Sequence, residues 1–330
     1  MATYDECVDA WERSRMAMGE VEEHTAHKSA QEARRLSPWI GDKEIEKITA
    51  FDIESAIIEL KSIGGKRGCG LSATSLRKSH MHGQAAVKWA MLHDMAAINP
   101  FERAARPKRA QTEAESLDSE QAANLYEDTL CELNSCMYGR ITRAKVNDAA
   151  CCMFVLLALA TGARRGELLA LTWGNVSDAA ISIKQAVKAD GHIGEPKTRK
   201  GARVVSIGEN TVKLLVAYRE WQMMFLDSAR EDSAYVLVSD GGKQLSGNVL
   251  EHWWHDYRND VGLSGFKIHG LRHTHATLLL ANGEDVKTIQ ARLGHSSAVM
   301  TLDVSSHAIP AKDVGAANLI EHELMIGGTR

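Results

Sequence analysis

The sequence lacks three patterns, and each absence excludes a class of protein. Its six cysteines form neither a secreted disulfide framework nor a paired CxxC zinc site, so a reducing compartment, the cytoplasm, is expected. The N-terminus, Met1-Ala-Thr-Tyr-Asp-Glu, does not read as a signal peptide. No apolar run reaches the length expected for a segment that spans a bilayer, so no membrane partner is expected. The composition, 44% hydrophobic and 25% charged, is that of an ordinary globular protein.

The charge is unevenly distributed along the chain. Residues 1–60 hold 7 Lys/Arg against 14 Asp/Glu, whereas residues 61–109 hold 10 against 2. A second basic run covers residues 197–203. Local basic stripes suit a polyanion partner, and an acidic remainder does not exclude one. Solvated helix faces would explain the charge equally well, so charge alone leaves both interpretations open.

The length of 330 residues fits two domains. Residues 1–102 are predicted to form a helical domain, in which Thr49 caps one helix and an apolar stripe marks another at 74–96. The stripe consists of Met81, Ala85, Trp89, Leu92 and Ala96. Residues 103–116 are basic and interrupted by Pro107, which predicts an interdomain linker. Asp118 and Gln121 form a capping pair that begins the second domain, 117–330.

The second domain is predicted to combine helices with a small β-sheet. An apolar helix is expected at about 149–160, with Cys151 and Cys152 packed in the core. Residues 181–187 and 202–207 are predicted to be two strands joined through an Asp190-Gly191 turn. Further helices are predicted at 211–227, 246–260, 270–281, 285–293 and 297–305. The expected fold class is therefore mainly α with a small β-sheet.

Four segments concentrate the residues that can carry chemistry: Thr161–Trp173, Pro196–Arg203, His269–Thr277 and Leu293–His307. They supply fixed cations and imidazoles with few carboxylates. His269 and Arg272 are three residues apart, so a helix places both on one face. Gly294 can end its helix in a left-handed cap and hold His295 at the helix end. Such a set suits a phosphate, because arginine forks bind its oxygens and preorganised cations stabilise developing charge.

These motifs, in this order, resemble the tyrosine recombinases, specifically the integrases of phages and mobile elements. The pattern runs from Thr161-Gly-Ala-Arg through a hairpin lysine to His269-Gly-Leu-Arg-His-Thr, Leu293-Gly-His and Thr301-Leu-Asp. The likeness is strong over 115–310 and weaker over 5–110. It implies a helical, SAM-like core-binding domain followed by a mixed α/β catalytic domain.

The resemblance also implies roles for individual residues. Arg164 and Arg272 would clamp the scissile phosphate, with His269 handling a proton and His295 donating a hydrogen bond. Lys197 would protonate the leaving 5′-oxygen, although Arg199 and Lys200 compete for that role. Position 305 would hold the nucleophile of a 3′-phosphoprotein link. No metal or cofactor is expected, because the covalent link conserves the bond energy.

The implied partners are double-stranded att-type or inverted-repeat core sites, bound as a homodimer per site and a tetramer in the synapse. Directionality factors or host DNA-bending proteins could assist. The chain would close as a clamp on DNA, with phosphate contacts supplying most of the affinity. The candidate DNA-binding residues are Lys66, Arg67, Arg77, Lys78, Arg106, Lys108, Arg109, Arg165, Arg199 and Lys200.

The chain departs from the family at the nucleophile, because Ser305 stands where a tyrosine is expected. An alkyl hydroxyl is much less acidic than a phenol, and serine is shorter. A chain with serine at this position is predicted to bind DNA and to cleave it poorly or not at all. A substitution that blocks cleavage, a natural loss of the tyrosine and a serine nucleophile would each explain the serine. A non-catalytic DNA-binding regulator and a topoisomerase-like enzyme are the alternative functions.

Four residues within the same motifs are expected to have roles other than catalysis. Arg165 is expected at the surface or on the DNA backbone, and Glu167 is expected to support an arginine or cap a helix. His273 and His275 could suggest zinc together with His269. Because no His-Glu-x-x-His motif or cysteine cluster accompanies them, hydrogen-bonded structural roles are preferred.

Overall fold

Helices make up most of the described chain, and two small antiparallel sheets of two strands each complete it, which confirms the predicted fold class. The computed structural model describes residues 2–19, 21–65, 68–108, 115–188, 190–195 and 201–294. The chain divides into two compact units, Met1–Thr112 (unit 1) and Glu113–Arg330 (unit 2).

Unit 1 is built from amphipathic helices with defined starts. Thr49 forms a capping box with Asp52, which confirms the predicted cap, and Thr3 does the same with Glu6. Both helices therefore begin with their first free N–H groups satisfied. The helices are α1 (Tyr4–Ala17), α2 (Glu23–Arg34), α3 (Ser37–Ile40), α4 (Ala50–Ile63) and α5 (Ala73–Leu92).

The stripe predicted for α5 is only partly buried: Ala85 and Trp89 pack against the core and Ala96, past the helix end, is buried, but the other two residues are exposed. Met81 and Leu92 are 43% and 76% exposed. The buried face includes His80 and Gly83, which a search for large apolar residues overlooks. A Cβ at Gly83 would lie 2.7 Å from a ring atom of Phe101, so the glycine lets another part of unit 1 approach α5 closely.

Unit 2 is organised around one long apolar helix, α7 (Arg143–Thr161). Its residues 149–158 are all buried, with Cys151 and Cys152 in the core as predicted. The helix is longer than predicted, and by length and composition it could cross a membrane, which corrects the expectation that no segment was long enough. Because 67% of its apolar window is buried, we interpret it as a core helix. The two exposed cysteines are Cys69, in unit 1, and Cys131.

Three predicted helices, at 246–260, 270–281 and 285–293, agree with the structure to within one residue, whereas the helix predicted at 211–227 covers 209–223 and a short helix at 165–169 was not predicted. Asp118 and Gln121 form the predicted capping box at the start of α6. Trp254 is buried and Trp253 is partly exposed, as two neighbours on different helix faces should be. The predicted helix at 297–305 lies outside the described residues. The helices are α6 (Ser119–Met137), α7 (Arg143–Thr161), α8 (Arg165–Leu169), α9 (Glu209–Met223), α10 (Gly247–Asp260), α11 (Gly270–Ala281) and α12 (Val286–Leu293).

The strand prediction was partly wrong. The segment 181–187 is not one strand but two, and the Asp190-Gly191 turn joins only the shorter pair. Gly191 has φ +88°, which a turn of this kind requires. The strands are β1 (Ala180–Ile183), β2 (Ala186–Val187), β3 (Ile193–Gly194) and β4 (Arg203–Ser206). β1 pairs with β4 and β2 with β3, both antiparallel, so Ile183 lies opposite Arg203.

Candidate functional site

The first motif turns the chain sharply between α7 and α8. Gly162 ends α7 in the left-handed conformation with φ +63°. A Cβ there would lie 2.6 Å from side-chain atoms of both His275 and Leu293, so glycine is required for conformation and for space. Arg164 follows as the residue that precedes α8. The turn therefore fixes where the Arg164 side chain begins.

Arg164 is held by a carboxylate and a carbonyl. Its Nη1 donates to Glu167 Oε1 at 2.8 Å and its Nη2 to Gly294 O at 3.0 Å. Its backbone N–H donates to the other Glu167 oxygen at 2.8 Å. The side chain is 37% exposed, so part of the guanidinium remains accessible.

Arg272, on α11, is only 4% exposed and binds neutral acceptors. Nη1 donates to Gly162 O at 2.6 Å and Nη2 to Leu293 O at 2.7 Å. Burial, together with the nearby charge of Arg164, lowers the pKa of Arg272 to about 9. The group stays protonated at neutral pH, and its environment favours an anion beside it.

Arg203 is a functional candidate that sequence reasoning missed. Nη1 and Nη2 donate to the two Glu167 oxygens at 3.1 and 2.8 Å, and the side chain is 7% exposed. Burial raises the pKa of Glu167, but hydrogen bonds from Arg203 and Arg164 outweigh this and hold it below its ordinary value. The predicted supporting role of Glu167 is confirmed. The available signal for Arg203 was a single charge within the apolar strand 202–207.

Three arginines bind three consecutive carbonyls at the end of α12. Arg203 Nε donates to Arg292 O at 2.6 Å, and the next two carbonyls accept from Arg272 and Arg164. Gly294 has φ +66°, which confirms the predicted left-handed cap. These carbonyls lack partners within the helix, so the guanidinium groups satisfy them at the negative end of the helix dipole.

Two histidines contact each other at the start of α11. His269 and His273 meet edge to face with ring centroids 4.9 Å apart. Burial, then the charges of Arg272 and Arg164, lowers the pKa of His269. Burial lowers the pKa of His273 to about 4. His269 is thus neutral at pH 7 and able to exchange a proton.

His275 has the hydrogen-bonded structural position that was predicted. Its Nδ1 donates to Leu159 O at 2.7 Å, so its Nε2 is the acceptor for Arg292 Nε at 3.0 Å. Arg292 also donates to Ala160 O at 2.9 Å. Burial lowers the pKa of His275 to about 4, which preserves this neutral tautomer. The pair joins the end of α7 to α12.

Arg164, Arg272 and His269 line one open cavity of about 390 Å³. Phe154 and Ile268 contribute apolar surface to it. At its rim Arg165 forms an ion pair with Glu251, consistent with the surface position expected for Arg165. The described residues hold no cluster of three His, Cys, Asp or Glu that could bind a metal.

The other predicted site residues that the structure describes do not line this cavity. In unit 1, Arg77 donates to Pro107 O, Arg106 donates to Gln84, and Lys78 lies 3.7 Å from Glu32. Lys108 is exposed. The following predicted residues lie outside the described part of the chain: Lys66, Arg67, Arg109, Lys197, Arg199, Lys200, His295 and Ser305.

Two integrases are among the solved structures with this arrangement of helices. The chain matches the Tn1549 transposon integrase in complex with a circular intermediate DNA with a TM-score of 0.72 and 18% identity, over 97% of this chain and 100% of that one. It matches a lambda integrase dimer bound to a COC′ core site with a TM-score of 0.64 and 17% identity, over 92% and 95% of the two chains. The fold is therefore that of the tyrosine recombinases.

The phage integrase family model matches residues 123–307, and the chain belongs to this family. The ICEBs1 integrase of Bacillus subtilis is 30% identical over 179 residues, which are 51% of this chain and 48% of that protein. The chain spans about half the length of the first curated relatives that it matches.

Proposed function

We propose that the chain binds duplex DNA at att-type or inverted-repeat core sites and holds one phosphodiester in the cavity lined by Arg164, Arg272 and His269. The observation that carries this proposal is the convergence of two guanidinium groups and a neutral imidazole on one open cavity. The carboxylate that lines the cavity, Glu251, is paired with Arg165, and Glu167, which holds Arg164, is bound by two arginines. A phosphate fits because Arg272 has only neutral carbonyl acceptors among the described residues, and a phosphate would give it a negatively charged partner.

The proposed reaction is DNA strand cleavage and exchange through a 3′-phosphoprotein intermediate. Arg164 and Arg272 stabilise charge on the non-bridging oxygens, and neutral His269 exchanges a proton or contacts the phosphate. Lys197 protonates the leaving 5′-oxygen, and His295 donates a hydrogen bond. The scheme uses no cofactor, because the energy of the broken bond is kept in the new link.

The nucleophile position distinguishes this chain from a fully active recombinase. We propose that Ser305 makes the chain deficient in cleavage while leaving DNA binding intact. An alkyl hydroxyl is far less acidic than a phenol and ends closer to the backbone, so attack on phosphorus is disfavoured twice.

The test compares the unaltered chain with Ser305→Tyr on a nicked suicide duplex that carries the attachment site. We expect covalent adduct from Ser305→Tyr and little from the unaltered chain. Ser305→Phe controls for ring size without a hydroxyl, and Ser306→Tyr controls for position. Equal adduct from the unaltered chain and Ser305→Tyr would overturn the cleavage-deficient form. Absence of adduct from Ser305→Tyr would overturn the enzymatic proposal.

A second candidate, a DNA-binding regulator that reuses the fold, is favoured by Ser305 alone. It predicts tight binding and no adduct even with tyrosine restored. The buried arginine network around Glu167 argues for the enzyme scaffold, because a protein that only binds DNA does not need a preorganised phosphate-binding cavity.

The proposed assembly is a homodimer on each core site and a tetramer in the synapse. Its support is the lambda integrase, solved as a dimer on a core site and as a tetramer on a Holliday junction. Residues 1–102 would bind the core site, 103–116 would be the linker and 117–330 would be catalytic. Directionality factors, DNA-bending proteins and the cytoplasmic location belong to the same proposal.

A further inference from the structure

Arg203 lies behind the cavity instead of in it. It is the first residue of β4, its side chain is 7% exposed, and it does not line the cavity. Its Nε, Nη1 and Nη2 all have acceptors: Arg292 O, Gly201 O and the two Glu167 oxygens. A buried arginine engaged on every side has little capacity left for a ligand, so its effect must pass through its partners.

One partner is the carboxylate that orients Arg164. Glu167 Oε1 accepts from both Arg203 Nη1 at 3.1 Å and Arg164 Nη1 at 2.8 Å. The Glu167 side chain is 1% exposed, and a buried carboxylate needs its hydrogen-bond donors. Arg203 therefore fixes the carboxylate, and the carboxylate fixes the accessible guanidinium.

The other partner is the end of α12. Arg203 binds the first of the three consecutive carbonyls, while Arg272 and Arg164 bind the second and third. One buried side chain thus connects the strand β4, the support of Arg164 and the helix end that precedes His295 in sequence.

We propose that Arg203 is a positioning residue for cleavage of the DNA phosphodiester, an inference that rests on the proposed function. It holds Arg164 through Glu167 and holds the end of α12 directly, without touching DNA. Losing it would leave the cavity able to bind phosphate but with misplaced groups. A small misplacement lowers the rate of the chemical step far more than it lowers affinity.

The test uses Ser305→Tyr as parent and adds Arg203→Met, Arg203→Lys, or Arg203→Met with Glu167→Gln. We expect single-turnover adduct formation at saturating DNA to slow by roughly 10–100-fold in Arg203→Met, with DNA affinity close to that of the parent. Lysine restores the charge without the fork, so Arg203→Lys is expected to recover part of the rate. The matched control is Arg219→Met. It removes an arginine of α9 that donates to the carbonyls of Ala229 and Arg230.

The double variant separates positioning from folding, because Glu167→Gln removes a buried charge that Arg203→Met leaves with fewer hydrogen-bond donors. A positioning role keeps the double variant slow even when its thermal stability recovers. A rate that recovers together with stability would overturn the proposal.

A second measurement does not depend on cleavage. The side-chain N–H signals of Arg164, identified by their loss in Arg164→Lys, should be protected from exchange in the unaltered chain and lose protection in Arg203→Met, in which Glu167 is unchanged. Unchanged protection would overturn the proposal for Arg203. If Ser305→Tyr itself forms no adduct, the proposed function fails, and this measurement still decides whether Arg203 positions Arg164.

Discussion

Arg272 shows how a single residue can be satisfied in hydrogen bonds and still favour an anion. Its two described acceptors are carbonyl oxygens, which carry partial charges only. Its charge is therefore balanced incompletely, and the pKa falls to about 9 because burial and Arg164 disfavour the cation. A phosphate would supply both negative charge and oxygen acceptors.

His275 gives the prediction at the same scale. Its pKa is about 4 in the folded protein and about 6.5 in an unfolded chain, so the unfolded state binds the proton first as pH falls. Stability from this residue is complete above about pH 6.5 and is lost towards about pH 4. We expect His275→Asn to lose about 1–3 kcal/mol of unfolding free energy at pH 7 and to weaken the pH dependence over that range.

Urea unfolding at several pH values measures both effects. The control is His252→Asn, because His252 is exposed on α10. If the free energy of unfolding depended on pH equally in His275→Asn and in the unaltered chain, the imidazole would not titrate as the structure indicates.

Sequence spacing was sufficient for some site residues and insufficient for others. His269 and Arg272 share a helix face, so their common cavity followed from a three-residue interval. Arg203 reaches Glu167 across 36 residues of chain, and no interval encodes that contact. Residues joined by tertiary packing need the fold before they can be recognised.

At the scale of elements, the close approach of β2 to α8 depends on one glycine. A Cβ at Gly166 would lie 2.4 Å from Val187 O, and backbone cannot yield as a flexible side chain can. We expect Gly166→Ala to reduce the free energy of unfolding by about 1–3 kcal/mol, since the β2–β3 pair must move away from α8. Chemical denaturation measures this loss.

Gly247→Ala is the matched control, because its added Cβ would meet side-chain atoms only at 3.7 Å or more and the residue lies within α10. A change of less than about 0.5 kcal/mol is expected there. If both alanine variants were equally stable, the close contact at Gly166 would be unimportant.

The capped and strongly periodic elements were predictable, and the irregular ones were not. Thr49 and Asp118 located two helix starts because capping is a local interaction. The buried face of α5 contains His80 and Gly83, which hydrophobicity does not select. The segment 181–187 divides because each half pairs with a different partner, which is a tertiary choice.

At the scale of the whole molecule, the uneven charge predicts that the proposed binding to DNA weakens as the salt concentration rises. Each lost phosphate contact lowers the slope of log affinity against log salt by about 0.9. We expect a combined Arg106→Ala and Lys108→Ala variant to weaken binding to a non-specific duplex and to reduce that slope by roughly 1–2. Fluorescence anisotropy across a salt series measures both.

A Lys28→Ala and Lys47→Ala variant is the control, since it removes the same charge from exposed positions in the acidic residues 1–60. Its slope should equal that of the unaltered chain. An equal loss in both variants would mean that net charge alone, and not the basic stretch, governs binding.

The burial of the cysteines has a practical consequence. Burial raises the pKa of Cys7 to about 11 and of Cys136 to about 12, and it raises the pKa of the Cys151 and Cys152 thiols as well. Thiol reagents require an accessible thiolate, so they should select the two exposed cysteines. Because Cys69 and Cys131 belong to different units, one fluorophore can be attached to each unit without any substitution, and energy transfer between them would follow the separation of the units as DNA is added.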